Sequence, residues 1–192
     1  MTDESGIDPA GTYPDCRLEL LVDRDTLQRR VRELAVEIDR RHAGTRPVLV
    51  GLLKGSFIFL ADLVRELTID CEIDFMSITG YGKLTEHSGA VRLLKDLSVD
   101  IEGRPVLIVE DIIDSGLTID YIRRMLWTRR PASLEIMTLL NKPKRRAVDV
   151  PIAYVGFDID DVFVVGYGLD LAERHRGLDH IARVDFGDES KR

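Results

Sequence analysis

Cysteine, long apolar runs and excess positive charge are all scarce in this 192-residue sequence. Two cysteines, Cys16 and Cys71, make neither a disulfide framework nor a metal-ligand spacing, so a reducing, cytoplasmic setting is the default. No apolar run approaches the roughly 20 residues that a helical membrane span needs. Lys and Arg number 27 against 34 Asp and Glu, a net charge of −7, which argues against a chain that wraps nucleic acid or lies on an anionic membrane. The opening MTDESGIDPAGTYPD is acidic and polar, unlike a signal peptide or a basic transit peptide. Internal repeats are absent, as are the Walker spacing and the Gly-x-Gly-x-x-Gly fingerprint.

What remains is an ordinary globular composition, 44% apolar and 32% charged, in a length suited to one domain with a real core. Residues 1–15, rich in Gly, Pro and acids, are expected to be disordered, and residues 16–186 to form the folded domain. Leu18–Val22 reads as a short strand. Leu27, Val31, Leu34, Ala35 and Ile38 recur at helical spacing, with Asp25 and Gln28 as the capping pair. The apolar run from Pro47 to Leu53 enters Lys54-Gly55-Ser56, and a second helix follows with Phe57, Leu60, Leu63, Val64 and Leu67 facing inward. Ile69, Cys71, Ile73 and Phe75 alternate as a strand ending near Ser77. The stretch from Thr79 to Ala90 is polar and glycine-rich for longer than a usual connection. Val91–Leu94 and the residues after Gly103 are expected to pair around the turn Asp100–Gly103. Leu134–Leu140 and Ile152–Phe157 read as further strands, with Lys144, Arg145 and Arg146 between them as solvated charge.

The most informative stretch is VLIVEDIIDSGLTIDYI, from Val106 to Ile122. An unbroken apolar run, the mark of a strand buried on both faces, stops at Glu110 and Asp111. A compact turn, Asp114-Ser115-Gly116-Leu117-Thr118, then opens a helix carrying Ile119, Ile122, Met125 and Leu126 on one face. The first N–H groups of a helix lack internal partners and that end is partly positive, so the corner is a candidate anion site. Alone, the turn is as readily a plain helix N-terminus. Acids crowded beside a phosphate repel it unless they serve a metal, ribose hydroxyls or a cationic centre. A ligand combining phosphate, sugar and a transient cation satisfies all three.

VLIVEDIIDSGLT resembles the phosphoribosyl-pyrophosphate (PRPP) motif of type I phosphoribosyltransferases, in the Glu-Asp-Ile-Ile-Asp-Ser-Gly form of the hypoxanthine-guanine branch. The resemblance extends from about Leu18 to Val184. It implies an α/β fold, a mainly parallel twisted sheet flanked by helices, with a small hood made by the N-terminal strand and residues of about 160–186. It also implies transfer of the phosphoribosyl group from PRPP to hypoxanthine or guanine, with Mg2+ as cofactor and a homo-oligomer, dimer or tetramer. On that pattern Asp114 is the general base. Glu110, Asp111, Asp114, Ser115, Gly116, Leu117 and Thr118 hold the sugar phosphate, and Lys54, Gly55 and Arg176 the pyrophosphate. The Leu53–Lys54 bond is often cis in relatives. Gly80 and Tyr81 belong to a lid, Gly80 standing where many relatives carry Ser. Lys142, Phe163, Val164 and Asp170 bind the purine, and Glu110, Asp111 and Asp170 the metal. Three alternatives stay open: a xanthine-preferring relative, a PRPP-sensing regulator and a receiver-like signalling domain.

Overall fold

The structure, a computed structural model, describes residues 16–79 and 92–187. The chain runs β1 (Arg17–Val22), α1 (Arg24–Arg41), β2 (Val48–Leu53), α2 (Phe57–Glu66), β3 (Glu72–Thr79), β4 (Arg92–Lys95), β5 (Pro105–Ile113), α3 (Leu117–Trp127), β6 (Ser133–Asn141), β7 (Tyr154–Asp158), β8 (Val164–Val165) and β9 (Ile181–Asp185). Six strands form one sheet in the order β4-β3-β2-β5-β6-β7, parallel except for β4. Strands β1, β9 and β8 form a separate antiparallel sheet that brings the N-terminal strand against the C-terminal part of the chain.

The apolar runs are continuous because successive residues serve opposite faces of one sheet. Leu49, Leu107 and Val109 pack with Leu27, Val31, Leu34 and Ile38 of α1 and Phe59, Leu60 and Leu63 of α2. Val48, Val50, Val106 and Ile108 pack with Ile119, Ile122 and Leu126 of α3 on the other side. All five inward positions expected for α1 are buried.

Several local expectations are corrected. Asp23, not Asp25, caps α1, accepting from the Thr26 N–H at 2.8 Å. Phe57 is 42% exposed, and Phe59 takes the core position instead. The third strand begins at Glu72, with Ile73 exposed and Met76 buried. β4 pairs with β3, not with β5. β5 does not stop at the acids but continues to Ile113, held there by β6 alone, since its pairing with β2 ends at Gly51–Val109.

That one-sided extension opens a crevice. The crossover β2-α2-β3 leaves in one direction along the sheet and β5-α3-β6 in the other, with their helices on opposite faces. Between two such strands no connection covers the carboxyl ends, and a ligand has room there. The segments following β2 and β5 are Lys54-Gly55 and Asp114–Thr118. Among the described residues, no helix is long and apolar enough to cross a membrane.

Candidate active site

Gly116 caps α3 in the left-handed conformation, φ 84°, with no side chain of its own to close the first turn, where Ser115 Oγ accepts from the Leu117 N–H at a long 3.4 Å. A Cβ at Gly116 would press on the Val148 carbonyl and the Arg146 side chain. A cavity of about 300 Å³ lies over this corner, lined by Glu110, Asp114, Ser115, Gly116 and Thr118, together with Ile112, Ile113, Ile119 and Arg145. Leu117 is half-buried and does not line it.

A second cavity, about 240 Å³, shares Glu110 and Thr118 with the first and is walled by Leu52, Leu53, Lys54, Gly55, Ile78, Asp111, Asp170 and Arg176. The Leu53–Lys54 peptide is cis. Arg176 pairs with Asp170 at 2.7 Å and Glu173 at 3.1 Å and donates to the Gly168 carbonyl at 2.8 Å. Its buried Nε has no hydrogen-bond partner among the described residues. Glu173 also takes Lys54 at 3.1 Å, so one carboxylate sits between the two cations that the sequence pattern assigns to pyrophosphate. The wall is tight behind them. A side chain at Gly55 would run into the Asp111 carboxylate, and one at Gly168, φ 104°, into the Gly55 carbonyl. Tyr167, buried beside Gly168, donates to Asp62 of α2 at 2.7 Å and ties this segment to the main sheet.

Glu110 and Asp111 are half-buried in the cavity walls. Burial, reinforced by the charge of Asp111, raises Glu110 well above the usual carboxylate range. Burial also pushes Asp111 up to about 6, with the Ile112 N–H and Arg176 pulling the other way. A folded state that keeps protons the unfolded chain has released loses stability as pH rises, for Asp111 between about 4 and about 6. Glu110→Gln is therefore expected to raise the melting temperature of the ligand-free protein by a few degrees at pH 7.5. The gain should vanish near pH 4.5. Thermal unfolding at the two pH values checks both halves.

At the far side of the corner stands Lys142, 5% exposed, its Nζ 3.2 Å from Asp114 Oδ1 and 3.9 Å from Asp161 Oδ1. The pair with Asp114 lacks hydrogen-bond alignment, so Asp114 Oδ1 is buried with no hydrogen-bond partner among the described residues. Lys142 is fixed by its own N–H, which donates to the Ile113 carbonyl at 3.0 Å. Phe163 is 44% exposed and meets Phe186 edge-on, and Val164 is buried in β8. Neither lines the two cavities. Among the described residues no three His, Cys, Asp or Glu side chains converge to hold a metal. The expected set of Glu110, Asp111 and Asp170 thus forms no closed cage, because Asp170 is engaged by Arg176 and by the Glu173 N–H at 2.8 Å. Gly80 and Tyr81 lie outside the described residues.

The sequence profile of the phosphoribosyl transferase domain matches residues 21–172. The chain belongs to the phosphoribosyl transferase family. It is 49% identical over 174 residues to the hypoxanthine phosphoribosyltransferase of Salmonella typhimurium, covering 90% of this chain and 98% of that one. To the hypoxanthine-guanine phosphoribosyltransferase of Bacillus subtilis it is 44% identical, over 85% of this chain and 91% of the other. A crystal structure of a hypoxanthine-guanine phosphoribosyltransferase from Bacillus anthracis superposes with a TM-score of 0.83 at 45% identity, covering 89% of this chain and 99% of that chain.

Three side chains of this phosphoribosyl transferase join the site without being singled out by sequence. Glu173 carries a signal, the spacing of Asp170, Glu173 and Arg176 by threes, although the segment forms tight bridges and no helix. Arg145 and Arg146 read as solvated charge. Arg145 is exposed, as that reading has it, and also lines the corner cavity, whereas Arg146 is half-buried against Gly116, donating to Asn141.

Proposed function

We propose that this phosphoribosyl transferase is a purine-salvage enzyme that moves the phosphoribosyl group from PRPP to hypoxanthine, and to guanine, forming IMP or GMP and releasing pyrophosphate. The observation that carries this reading is the pair of cavities joined at Glu110 and Thr118, one with an open helix start and one with Lys54 and Arg176. A molecule bearing a monophosphate at one end and a diphosphate at the other spans such a pair.

In this reading the corner's N–H groups and the Ser115 and Thr118 hydroxyls grip the 5′-phosphate. Lys54, the Gly55 amide and Arg176 receive the departing diphosphate as fixed donors that need no reorganisation. Glu173 yields these two cations when the diphosphate arrives. Glu110 and Asp111 face the ribose, where negative charge stabilises the oxocarbenium character that develops as the bond to pyrophosphate stretches. The donor set suits Mg2+, which keeps several waters and is held by one or two carboxylates with substrate oxygens. Glu110, Asp111 and Asp170 would be those carboxylates. Bound there, the ion would offset the diphosphate charge.

Asp114 would accept the proton from the imidazole half of the purine. Its buried Oδ1 lies 3.2 Å from Lys142 Nζ but makes no aligned hydrogen bond, which leaves it capacity to accept one. A carboxylate is a weak base toward a neutral purine, so the proton leaves as the bond to ribose forms. Lys142 would donate to the six-position oxygen, and Phe163 would stack on the base. Holding both reactants in attack geometry contributes roughly 7–11 kcal/mol. The small sheet of β1, β9 and β8 would serve as the hood over this site.

Nucleotide formation from each of the four purine bases, with and without Mg2+, tests the proposal. IMP from PRPP and hypoxanthine is the expected product; xanthine preference, or no product at all, would overturn it. In the same assay Lys142→Ala should blunt the preference for 6-oxopurines over adenine by about tenfold or more, since an unmatched buried lysine is what penalises adenine. An unchanged preference removes Lys142 from the purine site.

A further inference from the structure

The charges lining the corner cavity do not balance for the ligand proposed there. The carboxyl groups of Glu110 and Asp114 lie in its wall and add no positive charge, and the partial charge at the α3 start, roughly half an elementary charge, is a small offset to a dianionic phosphate. Among the described residues lining the cavity, the single cation is Arg145.

Its placement is built into the chain. Arg145 ends a one-turn 3₁₀ helix, Pro143–Arg145, that follows β6 directly. The strap is pinned on either side of Asp114: Lys142 N–H bonds the Ile113 carbonyl at 3.0 Å, and Ala147 and Val148 N–H groups bond the Ser115 carbonyl at 2.9 and 3.2 Å. Arg145 is therefore carried above the phosphate turn by the backbone of that turn. Its Nη1 rests 3.2 Å from Asp161 Oδ1, an exposed pair of the kind that contributes little by itself. The same oxygen lies 3.9 Å from Lys142 Nζ.

We propose that Arg145 is a 5′-phosphate ligand, parked on Asp161 in the free protein and drawn onto the phosphate when PRPP or a nucleoside monophosphate binds. A dianion with several acceptor oxygens competes well against one exposed carboxylate for a guanidinium. Asp161, freed of Arg145, stays within reach of Lys142, so filling the phosphate end alters the surroundings of the lysine that would read the base. This inference rests on the function proposed above and goes beyond it by adding a side-chain cation to a site so far made of backbone and hydroxyls.

The test compares Arg145→Met, Arg145→Lys and Asp161→Asn with wild type, reading KM for PRPP, KM for hypoxanthine, and inhibition by IMP against inosine, which lacks the phosphate. Arg145→Met should raise KM for PRPP and weaken IMP roughly tenfold, while hypoxanthine and inosine change by less than about twofold. Arg145→Lys should recover part of the loss, and Asp161→Asn should leave IMP binding as tight or tighter. Unchanged IMP inhibition in Arg145→Met, or an equal loss for inosine, overturns the assignment. So does Asp161→Asn mimicking Arg145→Met, which would make the pair a structural tie. Wild-type turnover is measured first: its absence overturns the functional reading itself, whereas a normal wild type with an indifferent Arg145→Met overturns this inference alone.

Discussion

Gly55→Ala should lower kcat/KM for PRPP by at least about a hundredfold, the effect that a misplacement of about 1 Å in a catalytic site produces. One added methyl group meets the Asp111 carboxylate on one side, while the Gly55 carbonyl already lies close against Gly168 on the other. The loop cannot retreat without moving the segment that carries Asp170 and Arg176, so one of the two walls of the second cavity must shift. Overpacking of this kind costs about 1–3 kcal/mol of stability, which a domain of this size survives folded. Steady-state kinetics with PRPP varied, alongside a melting curve, separates the two consequences. Near-wild-type kinetics would mean that the contact relaxes cheaply and that Asp111 does not need its present position.

Asp114→Asn is expected to lower kcat by roughly 10²–10⁴-fold, the usual share of a general base, with KM for PRPP within about threefold of wild type. Asparagine keeps the shape of the corner and its backbone, so the phosphate grip survives. What disappears is the acceptor for the purine proton and the negative partner 3.2 Å from Lys142. Lys142 is then left with Asp161 at 3.9 Å, and hypoxanthine binding should weaken more than PRPP binding does. Pre-steady-state turnover together with PRPP binding measured by calorimetry decides the matter. Equal losses in turnover and PRPP affinity would contradict the assignment of Asp114 as base.

Elements with a strong period are legible from residue spacing alone. In α1 the inward residues repeat at helical spacing because one face alone is buried, and all five are in the core. The runs in β2, β5 and β6 announce strands covered on both faces. The motif from Glu110 to Thr118 is legible for a different reason: the acids, the turn and the helix start are adjacent in the chain, so local order carries the site. Where period and burial part company, spacing misleads. Phe57 follows the apolar pattern but lies at the exposed start of α2, and β4 pairs with β3 rather than with the strand that follows it in the chain.

The sequence alone thus determined most of the elements, the family resemblance and the candidate anion corner, because these depend on residues a few positions apart. Tertiary structure alone decided that Gly55 abuts Asp111 and Gly168, that Glu173 sits between Lys54 and Arg176, that Arg145 lines the corner cavity and that Arg146 packs against Gly116. The physical reason is the opposite departure of the two crossovers from β2 and β5. It gathers the ends of distant strands around one crevice, and whether a charge there is solvated or poised depends on which strand ends beside it.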